Sequence, residues 1–233
     1  MRKLFILGAL LVIALSTTVY AQKDFGGVIK LKTYADGTTD PNILSQVKGE
    51  YDETVLGSQT KIVVTSPGGM GQVIIRDGNT GIMNIILDLS SMAYGKYLIS
   101  DTANYKLTQY DFVYDESDVK TIAGYECNKA TVTMTDLETD EVQTISLYVT
   151  DKLMNPSTYK SYDYPGLKGY PLYTAVEIDN AGSPYMVVIE ATEVIPNKKI
   201  KPIDFLLPAG WVAIADAPAE VKSMLGMGTD EEE

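Results

Sequence analysis

"TIAGYECNKATVTM", Thr121–Met134, is the stretch that sets the fold class. From Ala130 onward it alternates strictly: Ala130, Val132 and Met134 fall on one side, Thr131, Thr133 and Thr135 on the other. A period of two rich in β-branched residues is the pattern of a half-buried β-strand. Carried backward unbroken, that parity places Tyr125 and Cys127 on the threonine side. A bulge near Gly124 or Cys127 would reverse them, because glycine is a common bulge residue. The face taken by Cys127 is open at this level.

The same short alternation recurs in "GGVIKLKTY", "TKIVVTS", "GQVIIRD", "VQTISLYVT" and "MVVIEATEVI". Between Arg76 and Ile82, "RDGNTGI" supplies a tight turn of Asp, Gly and Asn, so "QVIIR" and "IMNIILDL" read as an antiparallel hairpin. "SPGGMGQ" reads as another hairpin turn: it leads into a strand and lacks the Lys-Ser or Lys-Thr of a phosphate loop. Helical signals are sparse. "DPNILSQVK" offers Asp40 as N-cap with Pro41 at the first helical position, and "DAPAEVKSMLGMG" offers Val221, Met224 and Leu225 on one face with Gly226 as a stop. The 154–171 stretch "MNPSTYKSYDYPGLKGYP" has no period and reads as an extended connection. Turn signals at intervals of about 8–12 residues fit a mainly β (α+β) chain, a sandwich, barrel or strongly curved sheet, with one to three short helices.

Residues 1–21, "MRKLFILGALLVIALSTTVYA", carry Arg2 and Lys3, a short apolar run and a small-x-small-like end, the pattern of a signal peptide cleaved near Ala21. The expected organisation is a signal peptide at 1–21, one β-rich domain at 22–226 and a disordered acidic tail at 227–233. Cleavage removes two cations and no anion, moving the formal charge from -12 to -14. So acidic a protein is a poor electrostatic partner for nucleic acid or anionic lipid. Lys198, Lys199 and Lys201 read as a solvated loop. The expected location is periplasmic or secreted, with no stable transmembrane segment after cleavage.

The chain has no histidine and one cysteine. A Ser-His-Asp or Cys-His centre is therefore excluded, as are histidine-bearing or all-cysteine metal sites and an intrachain disulfide. "YDFVYDESD" gathers Asp111, Asp115, Glu116 and Asp118, but acid and base catalysis on a sugar needs two carboxyls at a defined separation, which nearness in sequence does not supply. These read as a solvated loop or strand face, and Asp36, Asp40 and Asn42 as a turn without the register of a calcium loop. No catalytic residue, metal ligand or cofactor is assigned, and no ligand-binding residue is named. Cys127 has one cation near in sequence, Lys129, and reads as a buried small hydrophobe. Tyrosine is abundant near turns, at Tyr94, Tyr97, Tyr105, Tyr110, Tyr114, Tyr159, Tyr162 and Tyr164, suiting edge-of-core packing or the rim of an amphiphile site.

"IAGYECNKATV", Ile122–Val132, resembles the I-x-GY-x-C-x-KA signature of exported β-rich bacterial families, including the one named GLPGLI after its motif. "LYVTDKL", "YPGLKGYPL" and "KPIDFLLPAGW" follow in the order that resemblance implies, the second matching the GLPGLI motif in part. Such families look like distant relatives of the periplasmic lipoprotein carrier LolA and its acceptor LolB. The resemblance implies a mainly β fold with a single curved antiparallel sheet or half-barrel, LolA/LolB-like, lined by apolar groups and partly closed by one to three short helices. This chain departs from the carriers in its acidity, its sparse helices and its added 154–171 segment. The function expected is that of an exported non-enzymatic protein holding a lipid or other amphiphile in the concave face. The alternative is an envelope structural or assembly module that binds another protein, and a hydrolase working through carboxylates such as Asp111 or Asp115 is a third, less favoured reading.

Overall fold

A computed structural model describes residues 24–65, 70–102, 107–180 and 182–227. The proposed signal peptide, the tail beyond Met227, most of the "SPGGMGQ" turn and Tyr105 lie outside the described residues. The fold is mainly β, as the alternation predicts. In chain order come β1 (Gly26–Asp36), α1 (Pro41–Val47), β2 (Gly49–Leu56), β3 (Gln59–Thr65), β4 (Gly71–Asp77), β5 (Ile82–Asp88) and β6 (Lys96–Thr102). There follow β7 (Thr108–Ile122), β8 (Tyr125–Asp136), β9 (Val142–Thr150), β10 (Tyr170–Ile178), β11 (Tyr185–Pro196), β12 (Trp211–Ala213) and α2 (Ala219–Met224). All twelve strands form one open sheet, ordered β12-β6-β5-β4-β3-β2-β1-β11-β10-β9-β8-β7. Every pairing is antiparallel except that of the three-residue β12, which runs parallel to β6.

Local chemistry explains the turns. Asp77 pairs with Ile82, and the Asp77 carboxylate accepts the Asn79 amide at 2.8 Å, closing the β4–β5 hairpin where the sequence predicts it. Ile122 pairs with Tyr125 across Ala123 and Gly124, both at positive φ. That is a two-residue turn of the kind whose twist suits a hairpin, so Gly124 makes the turn and not a bulge. The register break lies on the partner strand: Asp115 faces Lys129 and Val119 faces Asn128, leaving 116–118 as extra residues on β7. β8 keeps its register with β9 from Asn128 to Thr135, so Cys127 stays on the side of Lys129 and Thr131. It is nevertheless fully buried, in a cluster with Ile122, Leu153 and Tyr170.

Both helices are short. The Asp40 carboxylate caps α1 by accepting the Asn42 amide at 2.8 Å. α2 buries Val221 in a cluster with Leu89, Tyr97 and Ala217. Met224, expected on the same face as Val221, is exposed, because α2 is only six residues long and presents little more than one turn to the sheet.

Segment 151–169 forms an irregular strap that proves the curvature. Asp163 reaches Arg76 of β4 at 3.5 Å, and a Cβ on Gly166 would meet the ring of Phe112 on β7 at 3.5 Å. In the sheet order β4 and β7 stand eight places apart, which in a flat sheet would be about 38 Å. Three residues of extended chain reach about 11 Å. The sheet must curl so that both strands face one strap, and the strap side is the concave side.

Candidate functional site: the cavity beneath the strap

Residues directly opposite one another on paired strands project to the same face. Leu31 lies opposite Tyr51, Ile29 opposite Glu53, Glu53 opposite Ile62, and Thr60 opposite Arg76. These pairs carry one continuous inner face across β1–β4, and from β9–β11 Ile145, Leu172, Val176 and Ile189 join it. The strap closes over it. The Lys160 amide donates to the Ser58 hydroxyl at 2.8 Å and the Lys168 amide to the Tyr114 hydroxyl at 2.8 Å. A Cβ on Gly78 would stand 1.9 Å from the Lys160 carbonyl oxygen, so only glycine admits the strap this close to the β4–β5 turn. Between strap and sheet lies a cavity of about 400 Å³.

Along β9–β11 the lining is mainly apolar, with Gln143 and Thr174 among Ile145, Leu172, Val176 and Ile189, and the charged pair Glu53 and Arg76 lies on the β2–β4 side. Glu53 is 9% exposed. Its carboxylate accepts the Tyr170 hydroxyl at 3.0 Å and is also hydrogen-bonded by Thr60. Burial pushes the Glu53 carboxyl above its ordinary range, offset only in part by the nearby Arg76 guanidinium and by the bonds from Tyr170 and Thr60. Tyr170 is held protonated, its pKa driven up by burial and by Glu53. Tyr51 is pushed up to about 12 by burial and the Glu53 charge. Burial opposes the charge of Arg76, but Asp163 and Glu53 outweigh it and raise its pKa further. One nitrogen of Arg76, Nε, is buried without an acceptor among the described residues.

A second recess of about 810 Å³ shares Tyr159, Lys160 and Ser161 with the first and is otherwise formed by the β4–β5 turn, by Asp151, Met154 and Pro156, and by Pro165–Gly169. Strap residues 159–161 thus wall two spaces at once.

The acidic residues noted in the sequence do not come together there. Asp111, Asp115, Glu116 and Asp118 lie on or beside the β7 bulge and bond locally. Asp111 accepts the Gln109 amide at 2.8 Å. Asp115 accepts the amide and hydroxyl of Ser117 at 2.9 and 2.6 Å, which holds its carboxyl below the usual range. Asp118 accepts Lys129 at 3.1 Å and Tyr148 at 2.9 Å. Lys129, the cation nearest Cys127 in sequence, is therefore committed to a carboxylate. Burial pushes the Cys127 thiol up to about 11, which leaves it protonated at neutral pH. Asp36 accepts the Gly37 amide, Asp40 caps α1, and Lys198, Lys199 and Lys201 are exposed.

Three of the tyrosines singled out, Tyr159, Tyr162 and Tyr164, line the cavity. Tyr114 ties down the strap and Tyr97 packs in the α2 cluster. The residues that sequence reasoning missed are Glu53, Arg76 and Tyr170. For Glu53 a signal existed: in "GEYDETVL" it shares the parity of Tyr51 and Val55, a carboxylate in a core position.

No helix among the described residues is long and apolar enough to cross a membrane. No protein-family model matches the chain, and a search of curated proteins found no match.

Proposed function

We propose that the protein is an exported, non-enzymatic binding protein that holds a lipid or other amphiphile beneath the 151–169 strap. The observation that carries this reading is the cavity of about 400 Å³, lined mostly by apolar and aromatic side chains, with Glu53 and Arg76 on its β2–β4 side. Small-molecule sites commonly have that form, with a few fixed polar groups in an apolar cleft of about 300–1,000 Å³. A tail lies along Ile145, Leu172, Val176 and Ile189, and the headgroup meets Glu53, Arg76 and Tyr170. The resemblance to exported β-rich families that look like distant relatives of the lipoprotein carriers supports the same reading, as does the export signal expected at residues 1–21.

The alternative is an envelope module that pairs with another protein through the exposed edge of β7. Four acids and a bulge on that edge oppose strand addition, since charge and irregularity are how sheet edges avoid pairing. Native mass spectrometry of the mature protein purified from its own host separates the two. A co-purifying amphiphile in one-to-one amount is the expected result. A ligand-free protein carrying a captured envelope partner contradicts it.

A further inference from the structure

We infer that segment 197–211, on the face of the sheet away from the strap, is a docking surface for an anionic lipid bilayer. The inference is independent of what the cavity holds.

Three observations support it. The first is apolar surface on a rigid backbone. Ile203 and Leu206 are 68% and 63% exposed. Pro202–Phe205 form one 3-10 turn, closed by the Leu206 amide donating to the Ile203 carbonyl at 3.2 Å. Side chains three residues apart on such a turn eclipse one another, so Ile203 and Leu206 point the same way, while Phe205 is buried and anchors the turn. The surrounding backbone is tied down. The Asn197 amide donates to the Gly26 carbonyl at 2.8 Å, the Lys199 amide to the Asn197 side-chain oxygen at 3.0 Å, and the Lys201 amide to the Asp204 carboxylate at 2.8 Å. From β3, Lys61 Nζ donates to the Asp204 carbonyl at 3.0 Å. A bonded loop therefore holds two aliphatic side chains out in water, where they forgo the stabilisation that burial brings.

The second observation is charge. Lys198, Lys199 and Lys201 are all exposed, in a chain whose net charge is -12. The one acid of the loop, Asp204, turns its carboxylate back onto the Lys201 amide, and Glu193, a few residues earlier, is held by Lys30 at 2.9 Å. At about 0.15 M salt fields decay over roughly 8 Å, so a surface touching this loop meets its lysines and not the net charge of the whole chain. Each lysine brought to an anionic leaflet raises partitioning about fivefold. The third observation is Trp211, the only tryptophan, exposed on β12 at the end of the segment. Aliphatic tips beside ammonium groups and an indole match the layers of a bilayer surface: the tips enter the acyl boundary, and the lysines and the indole stay among the headgroups. Lys61 alternates along β3 with Thr60 and Ile62 of the cavity lining, so the loop it holds lies on the opposite face and docking leaves the strap uncovered.

The test uses the mature protein at pH 7.5 in about 0.15 M salt with vesicles of phosphatidylcholine alone and of phosphatidylcholine with about one third phosphatidylglycerol. Co-sedimentation is expected to show binding to the anionic vesicles about tenfold or more tighter than to the neutral ones, with the Trp211 emission shifting to the blue as the indole leaves water. Two variants are compared: Ile203→Ser with Leu206→Ser, and Lys198→Gln with Lys199→Gln and Lys201→Gln. Each is expected to weaken binding to anionic vesicles about tenfold or more and to keep the wild-type melting temperature, since all five side chains are exposed. Binding of a dodecyl amphiphile in the cavity is expected to be the same in both variants, so the docking surface and the cavity reading fail separately. No binding to anionic vesicles, equal binding to neutral ones, or binding retained by either variant overturns the inference.

Discussion

Two groups of carboxylates in this protein behave in opposite ways. Asp111, Asp115, Glu116 and Asp118 are neighbours in sequence on an edge strand, and Asp111, Asp115 and Asp118 find glutamine, serine, lysine and tyrosine partners within a few residues or two strands. Glu53 and Asp163 are separated by 110 positions, and only the curl of the sheet and the strap bring them to the same arginine. The first pair of acids with lowered pKa values, Asp115 and Asp118, is solvated; Glu53 is buried and raised. Concentration of charge along a chain marks a solvated face, whereas a lone charge at a core parity position marks a place where the fold has gone to the expense of burying it.

The contrast can be broken at several points. Arg76→Met removes the nearby charge that offsets the burial of Glu53 and breaks the Arg76–Asp163 ion pair, and a loss of about 3 kcal/mol at neutral pH is expected by urea denaturation. Adding Glu53→Gln should restore part of that loss, which a double-mutant cycle would read directly. Tyr170→Phe removes the hydroxyl donated to Glu53 and keeps the ring, so about 2 kcal/mol should go and the Glu53 carboxyl should rise further.

Stability against pH provides a signed test. An acid whose folded pKa is raised binds its proton more readily when folded. The stability tied to Glu53 is thus full below its ordinary value of 4.5 and declines as pH rises through the raised folded value. Glu53→Gln should flatten that descending limb, and an unchanged slope would remove Glu53 from the account. Smaller still, Cys127→Ala should cost about 1 kcal/mol and leave ligand binding intact, since the thiol is buried. The native protein should resist iodoacetamide at pH 8 and react once unfolded. Smallest of all, Asp111→Asn and Asp115→Asn should each change stability by no more than about 0.5 kcal/mol and leave binding untouched.

Much of the fold was legible because its causes are local. The alternation after Ala130, the Asp-Gly-Asn turn at 77–79 and the Asp40–Pro41 cap each fix backbone geometry within a few residues. Turn spacing left a sandwich, a barrel or a curved sheet open, the resemblance implied the curl, and the strap gives the curl a physical cause. The position of the strap was not legible: 154–171 lacks any period, and what holds it are contacts to Ser58, Gly78, Arg76 and Tyr114, residues far away along the chain. The site was missed for the same reason. Its polar end is assembled from β2, β4, β10 and the strap, and a sequence read by spacing draws attention instead to the acids of β7.

The most direct test of the central claim is amide hydrogen exchange of the mature protein with and without saturating monododecanoylglycerol. If the amphiphile lies beneath the strap, amides of residues 159–164 and 170–174 gain protection while those of 108–118 on β7 exchange at unchanged rates. Protection confined to β7, or no change in the strap at saturation, would contradict it.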